Sequence, residues 1–255
     1  MQFTAPRDAL LALLAPGVGL TVKQNSAPVL AHVLLDVSTG GVVSATGTNL
    51  MATMTRALQV MDAIPGAACA PGRGLVKILT LMPAGDVRMT SAPNNYLTIE
   101  SLVPKKKVSV KLLGMSASDF PDLDKVDLAA CEPVSLGVGA LRELADAVLY
   151  AAAKDEHRPH LGVVHIERED GTTLHAVTTD GHRLCHAISG MPFPTLKPAG
   201  IGVPARSMQR LLSALPEDGE VALQVSAAHL VAVCGPLRAT LKLVTDPFPA
   251  WRNII

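Results

Sequence analysis

Aromatic side chains are scarce: Phe, Tyr and Trp make up only 3 % of the 255 residues. With 49 % of the chain apolar, the core must therefore be built from Leu, Val, Ala, Ile and Met. A chain of this length carries two ordinary domains or one large one. Long apolar runs are missing as well. No stretch reaches the ~18 residues that a membrane-spanning helix requires, and Met1 to Asp8 contains no apolar signal core. Cysteine is sparse and dispersed at Cys69, Cys131, Cys185 and Cys234, with no C-x-x-C spacing. Such thiols read as small buried hydrophobes in a reducing compartment, not as a disulfide framework or zinc site. Net charge is also lacking, with 22 basic and 22 acidic residues. That excludes a globally basic nucleic-acid coat and an acidic disordered chain, while leaving room for a local basic face. The expectation is a soluble, cytoplasmic globular protein.

What the chain does contain is a repeat of itself, with a period of roughly 130 residues, far too long for a solenoid. Asp8 to Leu14 matches Gly139 to Ala145. Pro28-Val29-Leu30 with Val33 matches Pro159-His160-Leu161 with Val164. Pro71-Gly72-Arg73 through Met82-Pro83 matches Pro204-Ala205-Arg206 through Leu215-Pro216. Lys111-Leu112-Leu113 and then Phe120-Pro121 matches Lys242-Leu243-Val244 and then Phe248-Pro249. The order is preserved, so the chain reads as a duplicated domain with its border between Lys125 and Cys131. The expected domains are residues 1–126 and 127–255.

Helical periodicity appears in Leu141, Leu144, Ala145, Val148, Leu149 and Ala152. It appears again in Leu75, Ile78, Leu79 and Met82, and in Met208, Leu211, Leu212 and Leu215. Pro204 is expected in a first helical turn, and Pro83 and Pro216 at helix stops. Short β-type runs fall between: Val29–Val37, Val87–Thr90, Tyr96–Glu100, Val108–Leu113, Gly162–Ile166, Thr173–Thr178, Val221–Val225 and Leu230–Cys234. Two helices and several short strands in each half predict an α+β fold, with helices packed on antiparallel sheet.

The second helix of each half carries the functional signal. Arg73 corresponds to Arg206, and Lys77 to Arg210. Each pair is four residues apart and stands on one face, roughly opposite the apolar stripe. Like charges at this spacing destabilise a helix by a few tenths of a kcal/mol. Meeting that cost twice, at equivalent positions, suggests a polyanion outside, held through phosphates without sequence readout. A plain solvated basic face is the competing reading.

The stretch Thr179-Asp180-Gly181-His182-Arg183-Leu184 resembles the bacterial DNA polymerase III beta subunit family, the replicative sliding clamps. So do Met1-Gln2-Phe3-Thr4, Pro28-Val29-Leu30, Ala153 to Leu161, Ser118 to Leu123, and Phe248-Pro249 with Ile254. The resemblance runs in order over the whole chain. It implies the DNA clamp fold and a ring that encircles duplex DNA and catalyses nothing. Partners would be DNA polymerase, the clamp loader and repair proteins, held through short hydrophobic peptides. By resemblance, Lys23, Arg73, Arg158 and Arg206 fall at or near DNA-facing positions, with Lys77 and Arg210 added by the helix argument. The peptide pocket would take Leu161, Thr179, Gly181, His182, Arg183, Leu184, Pro249 and Ile254, with Asn253 beside them. The chain departs from the family pattern at Gly162-Val163, at Pro159 and His160, at Asn49, and at Asn253, where a basic residue is common. Family chains usually have three domains. A natural two-domain chain would close as a trimer, and a truncated one would belong to a dimer; both remain open.

Six of the eight histidines lie between His157 and His186. They arrive without an H-E-x-x-H or paired C-x-x-C pattern, so neither a metal nor another cofactor is expected. Asp180 and His182 come without a nucleophile motif, and no catalytic residue is assigned. The alternatives are a clamp-like peptide-binding module that no longer encircles DNA, or a histidine-rich metal hydrolase.

Overall fold

The computed structural model describes residues 1–22, 27–123, 126–129, 131–155, 157–169, 173–194 and 200–254. The chain divides into two compact units, Met1–Asp124 and Lys125–Ile255.

Unit 1 opens with β1 (Gln2–Pro6) and α1 (Arg7–Leu20). A single 3-10 turn, Pro28–Ala31, leads into β2 (His32–Val37). Then come β3 (Val42–Thr48), β4 (Ala52–Gln59), β5 (Met61–Ile64), β6 (Gly66–Pro71) and α2 (Gly72–Leu81). It closes with β7 (Asp86–Ser91), β8 (Tyr96–Ser101) and β9 (Ser109–Leu113). One antiparallel sheet runs β5–β1–β7–β8–β9 and another runs β4–β3–β2–β6. Leu10, Leu13 and Leu14 of α1 and Leu75 and Leu79 of α2 meet Phe3, Val33, Leu35, Val43, Ala45, Met89 and Ile99 in one buried core. Antiparallel sheets apolar on one face and covered there by helices are the layered solution that such strands favour.

Unit 2 repeats the plan: β10 (Val134–Gly137), α3 (Val138–Leu149), a 3-10 turn at Pro159–Leu161, β11 (Val163–Glu169), β12 (Thr173–Thr179), β13 (Leu184–Ser189), β14 (Ile201–Pro204), α4 (Ala205–Ala214), β15 (Glu220–Val225), β16 (His229–Cys234) and β17 (Leu237–Lys242). A last 3-10 turn covers Trp251–Asn253. Within this unit the strands pair antiparallel as β10–β15–β16–β17 and as β13–β12–β11–β14.

The duplication extends to small devices. In each unit one isolated bridge ties the strand before the second helix to the segment after the last strand, Cys69 to Met115 and Gly202 to Val244. Both second helices stop at a residue in extended conformation, Met82 or Leu215, just before a proline. The proline ring forbids helical backbone at the residue ahead of it. Cys69 is buried in unit 1, whereas Cys131, Cys185 and Cys234 of unit 2 are partly exposed. Burial, and to a lesser degree the nearby Asp119 carboxylate, push the Cys69 thiol up to about 11.

Two local expectations fail. The run from Val29 is not strand throughout, because Pro28 opens a 3-10 turn that buries Leu30 before β2 begins at His32. Pro204 ends β14 and stands one residue ahead of α4, with extended ψ, so it precedes the first helical turn.

Candidate functional site

α2 and α4 are built alike. α2 buries Gly72, Leu75 and Leu79; α4 buries Ala205, Ser207, Met208, Leu211 and Leu212. With the apolar stripe turned inward, helical geometry leaves positions 73 and 77, and 206 and 210, on the solvent side. All four cations are exposed. Neither helix has an acidic residue in its first turn. The Arg73 guanidinium donates to Thr21 O at 3.3 Å, which steadies it beside the end of α1. Two further arginines, absent from the sequence-based set, hold the other ends of these helices. Arg7 donates to Met82 O at 2.9 Å, and Arg142 to Leu212 O at 2.9 Å and Pro216 O at 3.3 Å. A cation at a helix C-terminus satisfies orphan carbonyls and complements the macrodipole. Lys23 lies outside the described residues.

The β12–β13 turn gathers much of the expected peptide site. Thr179 Oγ1 accepts from the Gly181 N–H at 3.1 Å and donates to Arg183 O at 2.7 Å. Asp180 Oδ1 accepts from the N–H groups of His182 and Arg183, both at 3.0 Å. Those backbone hydrogen bonds, and then the Arg183 side chain, hold the Asp180 carboxyl below the usual carboxylate range. Gly181 takes φ +90°, a left-handed conformation that suits glycine. Arg183 donates to Asp180 Oδ2 and to Tyr150 O, each at 3.0 Å, and lies 5.7 Å from the Tyr150 ring centre. Arg158, expected to face DNA, is ion-paired to Asp155 at 3.0 Å and stands beside this turn. A Cβ on Gly181 would come within 3.4 Å of Arg158 Nη1. Leu161 is 6 % exposed and Thr179 7 %, so they form a floor rather than a rim. Leu184 and Pro249 are half-buried, while Asn253 and Ile254 are exposed.

The sheet face that carries Thr179 and Leu184 continues into a polar network. Strand alternation places His165, Glu167 and Glu169 of β11, His175 of β12 and His186 of β13 on this same face. His165 Nε2 lies 3.0 Å from Glu167 Oε2. An ionised carboxylate only accepts, so the imidazole donates. Arg252 pairs with Glu167 and lies 3.6 Å from Glu169. His175 Nδ1 and His186 Nε2 are 2.8 Å apart, and Glu169 Oε2 lies 2.8 Å from His175 Nε2 but outside hydrogen-bond alignment. The Trp251 ring, 6 % exposed, packs on His175 at 5.7 Å and His186 at 4.7 Å between centroids, with Arg252 stacked 4.5 Å from it. Phe248 stacks on His165 at 4.6 Å. Burial, reinforced by the Arg252 charge, holds His165 down at about 4, and burial together with His175 lowers His186. Three of the clustered histidines are therefore occupied with one another and with Glu167, Glu169, Phe248 and Trp251. Among the described residues no three His, Cys, Asp or Glu side chains converge on a metal position.

Of these network residues, His165 and His175 fall within predicted strand runs, His186 within the histidine cluster and Phe248 within the repeat and the resemblance, while the sequence singles out none of Glu167, Glu169, Trp251 and Arg252. The available signal was weak: a His and two Glu at alternate strand positions 165, 167 and 169, and a single Trp followed by Arg.

Helices layered on antiparallel sheet, repeated twice with a cationic second helix each time, define a DNA clamp fold. Solved structures agree. The chain is similar along its whole length to the DNA polymerase III subunit beta of Pseudomonas aeruginosa, covering 68 % of that chain at a TM-score of 0.87 and 29 % identity. A Bacillus subtilis sliding clamp, at 20 % identity and a TM-score of 0.90, has the same fold, with 67 % of its chain covered. Residues 1–124 match the N-terminal domain of the DNA polymerase III beta subunit, and residues 135–250 match its central domain. All of the chain aligns with 68 % of the Pseudomonas aeruginosa beta sliding clamp at 31 % identity, and with 68 % of the Escherichia coli one at 30 %. The chain belongs to the DNA polymerase III beta subunit family. No described helix is long and apolar enough to cross a membrane.

Proposed function

We propose that this chain is a sliding-clamp subunit that encircles duplex DNA in the cytoplasm, without reading its sequence, as part of a homo-oligomeric ring. It performs no chemical step. It tethers DNA polymerase, the clamp loader and repair proteins through short hydrophobic peptides received on unit 2. One observation carries the reading: Arg73 and Lys77 on α2 recur as Arg206 and Arg210 on α4, exposed and opposite a buried stripe. Cations on rigid helices, set back from any base-reading element, neutralise phosphates and leave affinity to topology and salt. Lys23 and Arg158 are the accessory DNA contacts in this reading.

For the peptide site, an apolar floor of Leu161 with Leu184, Pro249 and Ile254 beside it, edged by His182, Arg183 and Asn253, is the chemistry that a short apolar peptide requires. A Pseudomonas aeruginosa sliding clamp, 29 % identical to this chain, was solved bound to griselimycin, which supplies a probe for this surface.

Replacing Arg73, Lys77, Arg206 and Arg210 together by Ala should leave far-UV circular dichroism unchanged and shorten retention on nicked circular DNA. The slope of log retention against log salt should fall by about one per cation removed. Unchanged retention and slope would remove these helices from the DNA-facing surface.

A further inference from the structure

We infer that Trp251 and Arg252 act as a latch that sets the position of the peptide-contacting residues Pro249 and Ile254 by docking onto the His–Glu network of β11, β12 and β13. This rests on the peptide-site reading above and assigns positioning roles to residues outside the pocket itself.

Three observations support it. First, the latch and the site share one sheet face. His175 precedes Thr179 by four residues along β12, and His186 follows Leu184 by two along β13, so the strands that carry the pocket floor also carry the docking surface. Second, Pro249, Asn253 and Ile254 lie within three residues of Trp251, and backbone hydrogen bonds join Trp251 to Pro249 and to Ile254. Ile254 is 68 % exposed, whereas Trp251 is 6 % exposed. An anchored Trp between exposed neighbours is the fixed point about which those neighbours are placed. Third, the anchor is specific as well as greasy. Arg252 joins two carboxylates on alternate positions of β11 while stacking on the Trp ring, and that ring covers the hydrogen-bonded pair His175 and His186. Apolar packing alone would tolerate several seatings, whereas paired charges and a ring-on-ring contact select one.

The network also makes the latch sensitive to acid. The groups facing His186 are His175 on β12, Glu169 on β11 and the Trp251 ring. Those facing His165 are Glu167, Arg252 and the Phe248 ring. The hydrogen bond between His175 and His186 needs one ring nitrogen without a proton. A proton added to His186 places a positive charge beneath Trp251. His165 resists protonation because it is buried and, secondarily, because Arg252 stands beside it. Acidification below the ordinary histidine range therefore loosens the seat.

Trp251 is the only tryptophan in the chain, so its emission reports on the latch alone. The experiment measures griselimycin affinity by calorimetry and Trp251 emission in parallel, on the intact chain. Arg252→Gln and Glu167→Gln should each red-shift the emission and weaken binding by about tenfold or more. The double variant should be no weaker than the worse single one, and Arg252→Lys should recover part of the loss. In the wild type, affinity and emission should change together as pH falls from 7 to 5, and His186→Gln should shrink that step. Glu169→Gln, on a half-exposed carboxylate, should retain the fold and show a smaller loss. Shifted emission with unchanged affinity would overturn the latch and leave the peptide site standing. A wild-type chain that ignores griselimycin, or a Leu184→Asp variant that binds it normally, would overturn the peptide site and the latch with it.

Discussion

The first helix of each unit packs on a strand of its own sheet, and the two units solve that contact in different ways. In unit 1, Gly17 of α1 lies against Gly47 of β3, backbone to backbone. A Cβ on Gly47 would come within 2.2 Å of Gly17 O. In unit 2 the corresponding residues are Val148 of α3 and Thr178 of β12, where the fully buried Thr178 hydroxyl donates to Val148 O at 2.6 Å. One contact is close because nothing intervenes; the other is held slightly apart by a side chain that satisfies the carbonyl. The same fold thus tolerates two spacings between helix and sheet, each locked by its own chemistry.

The opposite faces of those sheets diverge further. In unit 1 the face away from α1 carries a threonine ladder, with the hydroxyls of Thr46 and Thr55 2.9 Å apart and those of Thr48 and Thr53 2.9 Å apart. In unit 2 the equivalent face carries His165, Glu167, His175 and His186 beneath Trp251 and Arg252. Yet the turn between the two strands is copied almost atom for atom. Thr48 Oγ1 accepts from Leu50 N–H and donates to Ala52 O, and Asn49 Oδ1 accepts from Met51 and Ala52 N–H. Thr179 and Asp180 do the same in unit 2. What a duplicated domain keeps, then, is backbone satisfaction; what it is free to change is the chemistry displayed beside it.

The strongest way to break the comparison is to exchange the helix-contact residues. Gly47→Thr should destabilise the chain by about 3 kcal/mol or more, because the new atoms meet backbone that has no rotamer to change. The reverse exchange, Thr178→Gly, leaves a buried carbonyl unpaired and should cost about 2 kcal/mol. Thermal unfolding measures both, and a Gly47→Thr as stable as wild type would mean that α1 is free to lift.

The next test uses pH. His165 has its folded value depressed from 6.5 to about 4, so folding favours the neutral ring. The unfolded chain takes up the proton first. The resulting stability is intact above pH 6.5 and is lost as pH falls toward 4, by an amount of order 2–3 kcal/mol. Hydrogen exchange at pH 7.5 and pH 5 should show β11 and β12 losing protection while β3 and β4, whose matching face carries the threonine ladder, change less. His165→Leu should flatten the difference; equal loss in both units would remove the histidine network as its cause.

The smallest effect concerns the turns. Leu50 holds φ +71° where unit 2 has Gly181 at φ +90°. Gly181→Leu should cost about 1 kcal/mol through left-handed strain, and Leu50→Gly should be near neutral, as relieved strain offsets added freedom in the unfolded chain. A chemical-denaturation midpoint that moves equally for both would show that the turns are not equivalent.

How much of this was legible in the sequence follows from where the signals lie. The helices were readable because Leu75, Leu79, Met208 and Leu212 keep a helical period, and the duplication because motif order survived. Many strands were not. β3 and β6 are rich in small residues such as Ala45, Gly47, Ala67 and Ala70, which pack well against a helix yet give no apolar alternation. The cation pairs on α2 and α4 were visible because their spacing is local. The network under Trp251 was not, because its partners come from four segments, and only the fold brings Arg252 to Glu167. The Arg7 and Arg142 caps escaped for the same reason, since each reaches a carbonyl some 70 residues away.

Cys69, the one thiol of unit 1, is sealed in and held in its protonated form, while the other three sit partly exposed on unit 2. An electrophilic dye added to the untouched protein will therefore mark only one half, so the two halves can be told apart optically before a single codon is altered.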